Sequence, residues 1–137
     1  MRILSITAQK PHSTGSGVYL TETVRGFKEL GHTQAVIAGV TREDSVKLPE
    51  GVGFYPVYYN SPELPFPVCG MSDEMPYEST RYRYMKPDMV DKFEAAFGST
   101  VLRAVKEFRP DVVICHHLYL LAAIVREKLP DMAVWGI

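Results

Sequence analysis

The sequence predicts an α/β protein built on an open, doubly wound parallel sheet in three layers, α/β/α. Two observations carry that prediction. Strand-like and helix-like patterns alternate with short connections along the chain. Several strand segments are short, nearly continuous apolar runs, the pattern of a strand buried on both faces of a parallel sheet. At 137 residues, 46% hydrophobic and 23% charged, the chain suits one packed domain over residues 1–137.

The first strand is the apolar segment at residues 2–7, and the small-residue turn Gly15-Ser16-Gly17 follows it. Leu20, Val24, Phe27 and Leu30 then recur at helical spacing, and Gly31 ends that helix as a C′ glycine. Residues 33–39 form the second strand, and residues 53–59 suit a third. Residues 60–86 read as an irregular excursion. Pro62, Pro65, Pro67 and Pro76 break regular structure there, between aromatics that include Phe66, Tyr77, Tyr82 and Tyr84. Pro87 suits the first turn of a helix that carries Val90, Phe93, Phe97, Val101, Ala104 and Phe108 on one face, until Pro110 stops it. Gly98 is the place where this helix is expected to bend or break. Residues 111–115 are the clearest buried strand and deliver His116-His117 at their C-terminal end. Leu121, Ile124 and Val125 mark a short helix closed by Pro130, and residues 133–137 begin another strand. A buried parallel strand needs a crossover element after it. The sequence therefore reads as truncated at Ile137, with a second domain missing.

The formal net charge of -1 supplies no basic field for a phosphate backbone, so nucleic acid is not an expected partner. Cys69 and Cys115 form no C-x-x-C pair and read as reduced, which points to the cytoplasm. No run approaches the roughly 20 apolar residues of a membrane span, and no cleavable signal opens the chain.

Ligands of such sheets bind outside the carboxyl ends of the strands. Three places share that rim: the Gly15 turn, the segment after Gly39, and His116-His117. Strand, glycine turn and helix also begin a dinucleotide site, but Leu20 stands where the third glycine belongs. The second strand ends on Gly39 instead of an acidic ribose partner, although Glu43 and Asp44 follow closely. No G-K-[ST] follows the glycines, so the turn is not a phosphate loop of the Walker type. What remains is an anion- or sugar-binding helix start, or a plain helix entry with Ser16 or Gly17 as N-cap. His116 and His117 suit a binding or base role, or one packs under the next helix while the other is solvated. Adjacent strand residues face opposite ways, so they do not make a shared metal site, and no metal is expected. Arg81-Tyr82-Arg83-Tyr84-Met85-Lys86 alternates cations with aromatics and reads as a loop edge or a site for a polar or anionic substrate. Asp88, Asp91 and Glu94 favour the positive end of a helix dipole.

Arg2-Ile3-Leu4-Ser5-Ile6, Gly15-Ser16-Gly17, Val18-Tyr19-Leu20-Thr21-Glu22-Thr23, Leu30-Gly31-His32 and residues 111–117 together resemble the N-terminal domain of GT-B glycosyltransferases. The likeness is to the retaining, glycogen-synthase-like group and covers the chain except residues 60–86. It implies a Rossmann-like, acceptor-binding domain of an enzyme of hexosyltransferase type. A second domain would hold the nucleotide-sugar donor, and reaction would occur between the two. Gly15, Ser16 and Gly17 would face the donor or departing phosphates, while His116 and His117 would line the acceptor side. The partners implied are that donor and a sugar or other hydroxyl acceptor, with no cofactor and no divalent metal. Peripheral membrane association of the whole protein stays open. The family's His-x-Thr-like segment and paired glutamates are absent, so the fragment alone is expected to be inactive. By this reading Gly17→Val abolishes turnover of the whole protein and spares the fold. A nucleotide-sugar epimerase of the same architecture is the near alternative, and a non-catalytic flavodoxin- or receiver-like module the more distant one.

Overall fold

Parallel pairing begins at the N-terminus. In the computed structural model, which describes all residues from Met1 to Ile137, β1 (Arg2–Thr7) is buried along Ile3 to Thr7. α1 (Gly15–Glu29) follows, and Thr14 is its N-cap: the Thr14 hydroxyl accepts from the Gly17 amide at 3.2 Å. The cap is thus neither Ser16 nor Gly17, because both already lie inside the first turn. Gly31 closes the helix as expected, with φ +84°. Its amide donates to the Lys28 carbonyl and the His32 amide to the Phe27 carbonyl, the paired bonds of a Schellman motif. The Phe27 and His32 rings meet edge to face over that motif.

β2 (Thr33–Val40) pairs with β1, and β3 (Gly53–Tyr58) pairs with β2 as an edge strand, where Pro56 is tolerated. The excursion that follows is not wholly irregular. β4 (Cys69–Gly70) and β5 (Thr80–Arg81) make a two-residue parallel pair. A 3-10 turn over Tyr82–Tyr84 follows. The prolines leave room for pairing this short, which sequence periodicity does not reveal. α2 (Pro87–Phe108) runs unbroken through Gly98. A Cβ on Gly98 would lie 3.2 Å from Lys128 Cε, so the glycine lets the next helix approach and does not interrupt its own.

β6 (Val112–Cys115), α3 (Leu120–Lys128) and β7 (Val134–Gly136) complete an all-parallel sheet in the order β3-β2-β1-β6-β7. Alternate residues of β2 separate the two faces. Val36 and Ala38 pack with Leu20 and Val24 of α1, whereas Ala35 and Ile37 join the larger core under α2 and α3 with Phe93, Phe97 and Ile124. The sheet is therefore doubly wound, as predicted. Arg2 fastens the chain start to the end of α2: its guanidinium donates to the Phe108 carbonyl at 2.8 Å through Nε and stacks on the Phe108 ring.

Candidate functional site

The rim pocket forms where β1 and β6 end side by side. The His116 amide donates to the Ile6 carbonyl at 2.9 Å, extending the β6–β1 ladder by one residue, and the His117 amide donates to Ile137 on the β7 side at 2.9 Å. His117 then turns the chain with φ +74°, a left-handed conformation unusual for a residue with a side chain. These two bonds fix both imidazoles beside the start of α1. The resulting hollow has a volume of about 350 Å³ and is lined by Gly15, Ser16, Tyr19, His116, His117 and Ile137.

Four of the five predicted site residues are thus brought together, and Gly17 is not among them. A Cβ there would meet the Lys10 carbonyl oxygen at 2.7 Å and the His12 amide nitrogen at 2.9 Å. Its amide is spent on the Thr14 cap, so Gly17 serves the close packing of the β1–α1 segment on the helix. The expectation that Gly17→Val spares the fold is overturned by this contact with backbone atoms. Tyr19 joins the pocket in its place, its ring edge-on to His116 at 6.1 Å between centroids. The helical period gives the signal: Gly15, Ser16 and Tyr19 stand at i, i+1 and i+4 on one side of the first turn.

The amides of Gly15 and Ser16 have no acceptor in the chain, as the first turn of a helix dictates. His116 is only 5% exposed, and its Nε2 has no hydrogen-bond partner; neither has Nε2 of His117. Burial, with a smaller contribution from His117, pushes the His116 imidazole down to about 4, and burial also lowers His117. Both rings are therefore neutral near pH 7 and can donate or accept a hydrogen bond without carrying charge. The pocket offers two free amide donors at the positive end of a helix dipole and two uncharged imidazoles. That set suits an oxyanion or a sugar hydroxyl. No group of three or more His, Cys, Asp or Glu side chains gathers as a metal site. No helix is long and apolar enough to cross a membrane.

The rim beyond Gly39 is occupied differently. Asp44 accepts from Lys10 Nζ at 2.8 Å, from the Thr41 amide at 2.7 Å and from the Thr41 hydroxyl at 2.9 Å. Burial raises the Asp44 carboxyl, but Lys10 and Thr41 outweigh it and hold the group below its usual range. Lys10 also sits 4.8 Å over the Tyr77 ring, which ties the excursion to this edge. Asp44 is committed to these partners and does not reach the rim pocket.

No family model matches the chain, and no curated protein matches it. Solved structures do. UDP-GlcNAc 2-epimerase from Neisseria meningitidis, determined with UDP-GlcNAc bound, superposes with a TM-score of 0.57 at 11% identity over 100% of this chain and 32% of its own. Sucrose-phosphate synthase from Thermosynechococcus elongatus gives 0.60 at 9% identity, over 99% and 32%. The zinc-inhibited form of teicoplanin deacetylase Orf2 gives 0.50 at 12% identity, over 99% and 67%. The chain spans about a third of the length of the first two. The fold is the Rossmann-like domain found in GT-B proteins.

Proposed function

We propose that this chain is the N-terminal, acceptor-side domain of a GT-B enzyme that acts on nucleotide sugars, a glycosyltransferase working with retention. The reading rests chiefly on one juxtaposition: the unpaired amides of Gly15 and Ser16 share a pocket with the buried, unpartnered imidazole of His116. When a nucleoside diphosphate leaves a sugar, negative charge gathers on the phosphate oxygens. Donors already fixed in place stabilise that charge without reorganising. Gly15 and Ser16 would supply such donors, and neutral His116 and His117 would orient acceptor hydroxyls beside them. A second, donor-binding domain would close the cleft, and both neighbours, about three times as long as this chain, leave room for one.

An epimerase is the second reading, favoured by the superposition on an enzyme determined with UDP-GlcNAc. One assay separates them. The whole protein encoded by the gene is incubated with a panel of nucleoside-diphosphate sugars, with and without hydroxyl acceptors. Transfer with the donor's anomeric configuration kept, read by proton NMR coupling constants, supports the first reading. Interconversion of the sugar without acceptor supports the second. Absence of both nucleotide-sugar binding and turnover would overturn the two readings together. Ser16→Pro removes one of the two amide donors in a helical turn that tolerates proline. It should lower kcat by about 10²-fold.

A further inference from the structure

A second hollow of about 230 Å³ lies against the excursion, and the rim pocket does not include it. β5 and the 3-10 turn present Arg81 and Arg83 to it on either side of Tyr82, whose ring points inward onto Phe93 and Tyr119. The segment between β4 and β5 folds back over this edge and brings Asp73 to both cations. Arg83 Nη2 lies 2.7 Å from Asp73 Oδ1 and Arg81 Nε lies 3.8 Å from the same oxygen. Arg81 Nη2 also donates to the Asp73 carbonyl at 2.9 Å. Two guanidinium groups thus converge on one carboxylate oxygen, and Arg83 is steadied by stacking at 5.2 Å on the Tyr84 ring.

We propose that this hollow is a subsite for a phosphate or carboxylate group on the acceptor, and that Asp73 is a built-in stand-in which the acceptor's anion displaces. Three observations carry it. One carboxylate against two guanidinium groups leaves a net positive charge that draws in a further anion, and both guanidinium groups are free to bind it once Asp73 swings away. The Asp73, Arg81 and Arg83 side chains are 65%, 40% and 56% exposed, and an exposed ion pair adds little to stability, so its exchange for a ligand is cheap. The hollow borders Tyr119, two residues beyond His117 of the rim pocket, so one short turn of chain links the two hollows. Its volume falls below the roughly 300 Å³ at which whole-ligand pockets begin, which fits a charged group with the rest of the molecule lying outside. This inference rests on the acceptor-side reading of the domain for its biological meaning, while the binding itself is tested without donor or turnover.

The 137-residue chain is titrated with glucose 6-phosphate, glucuronate, glucose and inorganic phosphate, and binding is followed through backbone amide shifts. Glucose 6-phosphate or glucuronate should bind more tightly than glucose, with shifts at Ser72, Asp73, Arg81 and Tyr119. The arm that binds names the anion. Arg83→Ala should weaken that binding about tenfold, the effect of one lost charge-assisted bond. Asp73→Asn should tighten it by up to about fivefold, because the competitor is gone. A purely structural Asp73 predicts the reverse, since its loss would loosen the segment that roofs the hollow. Equal binding of charged and neutral sugars, or weaker binding by Asp73→Asn, overturns the proposal, and the Asp73 variant decides it even if Arg83→Ala does not fold. Failure here leaves the nucleotide-sugar assay untouched, and failure of that assay leaves this titration readable.

Discussion

Gly17→Ala should destabilise the chain, and Gly26→Ala, nine residues along the same helix, should stabilise it. At Gly17 the new methyl would sit 2.7 Å from the Lys10 carbonyl oxygen, with the Pro11 carbonyl carbon and His12 nitrogen both at 2.9 Å. All three neighbours are backbone, so the segment at residues 10–12 must move as a unit. Overpacking of this kind costs about 1–3 kcal/mol. Alanine's better helix propensity offsets about 1 kcal/mol of this, leaving a net loss of up to about 2 kcal/mol. At Gly26 nothing lies within 4 Å of the new methyl, so only the propensity remains and the gain is about 1 kcal/mol. For a domain of this length each kcal/mol moves Tm by about 3–5 °C. Urea denaturation followed by circular dichroism at constant m-value reads both differences. A Gly17→Ala chain that gains as much stability as Gly26→Ala would refute the packing of the β1–α1 segment on α1.

Three further outcomes follow from buried or strained groups. Because burial holds the His116 imidazole near 4 against an ordinary 6.5, the unfolded chain takes up a proton between those values that the native chain refuses. Stability is therefore complete above about pH 6.5 and falls by about 2–3 kcal/mol as pH drops toward 4.5, and His116→Gln should flatten that part of a urea-midpoint profile. Burial raises the Cys69 thiol to about 12 and the Cys115 thiol to about 11. Both should stay unreactive toward a disulfide reagent at pH 8 until urea unfolds the chain, and native labelling within minutes would contradict their burial. Arg109 caps α2 with φ 54° and an exposed side chain, so Arg109→Gly should raise stability by about 1 kcal/mol in the same urea assay.

The sequence exposes whatever depends on local period. Leu20 and Val24 predict α1, Phe93 through Phe108 predict α2, and the run at residues 111–115 predicts β6, with ends correct to within a residue or two. Topology carries part of the site too, since His116 and the start of α1 meet because β1 and β6 are adjacent parallel strands ending on one rim. What escapes is set by contacts between distant atoms or by competition among equivalent neighbours. Thr14, Ser16 and Gly17 are all acceptable N-caps by type, and only the three-dimensional turn selects Thr14. Gly17 reads as a ligand cradle until the Lys10 carbonyl is seen beside it. The reach of Asp73 to Arg83 spans ten residues of proline-interrupted chain, and no pattern announces it.

The two sides of the sheet are unequally held. α2 buries seven residues and shares with α3 a core of 22 buried residues, whereas α1 buries only Gly17, Leu20 and Val24 over a cluster of four. The helix that presents the free amides is therefore released by local opening more easily than α2, and its amides should exchange with deuterium faster than those of α2. An anion resting on Gly15 and Ser16, as proposed, would bind only the closed form, so it should slow that exchange in proportion to its own affinity. Occupancy of the site and persistence of the first helix become one equilibrium, measurable from either end.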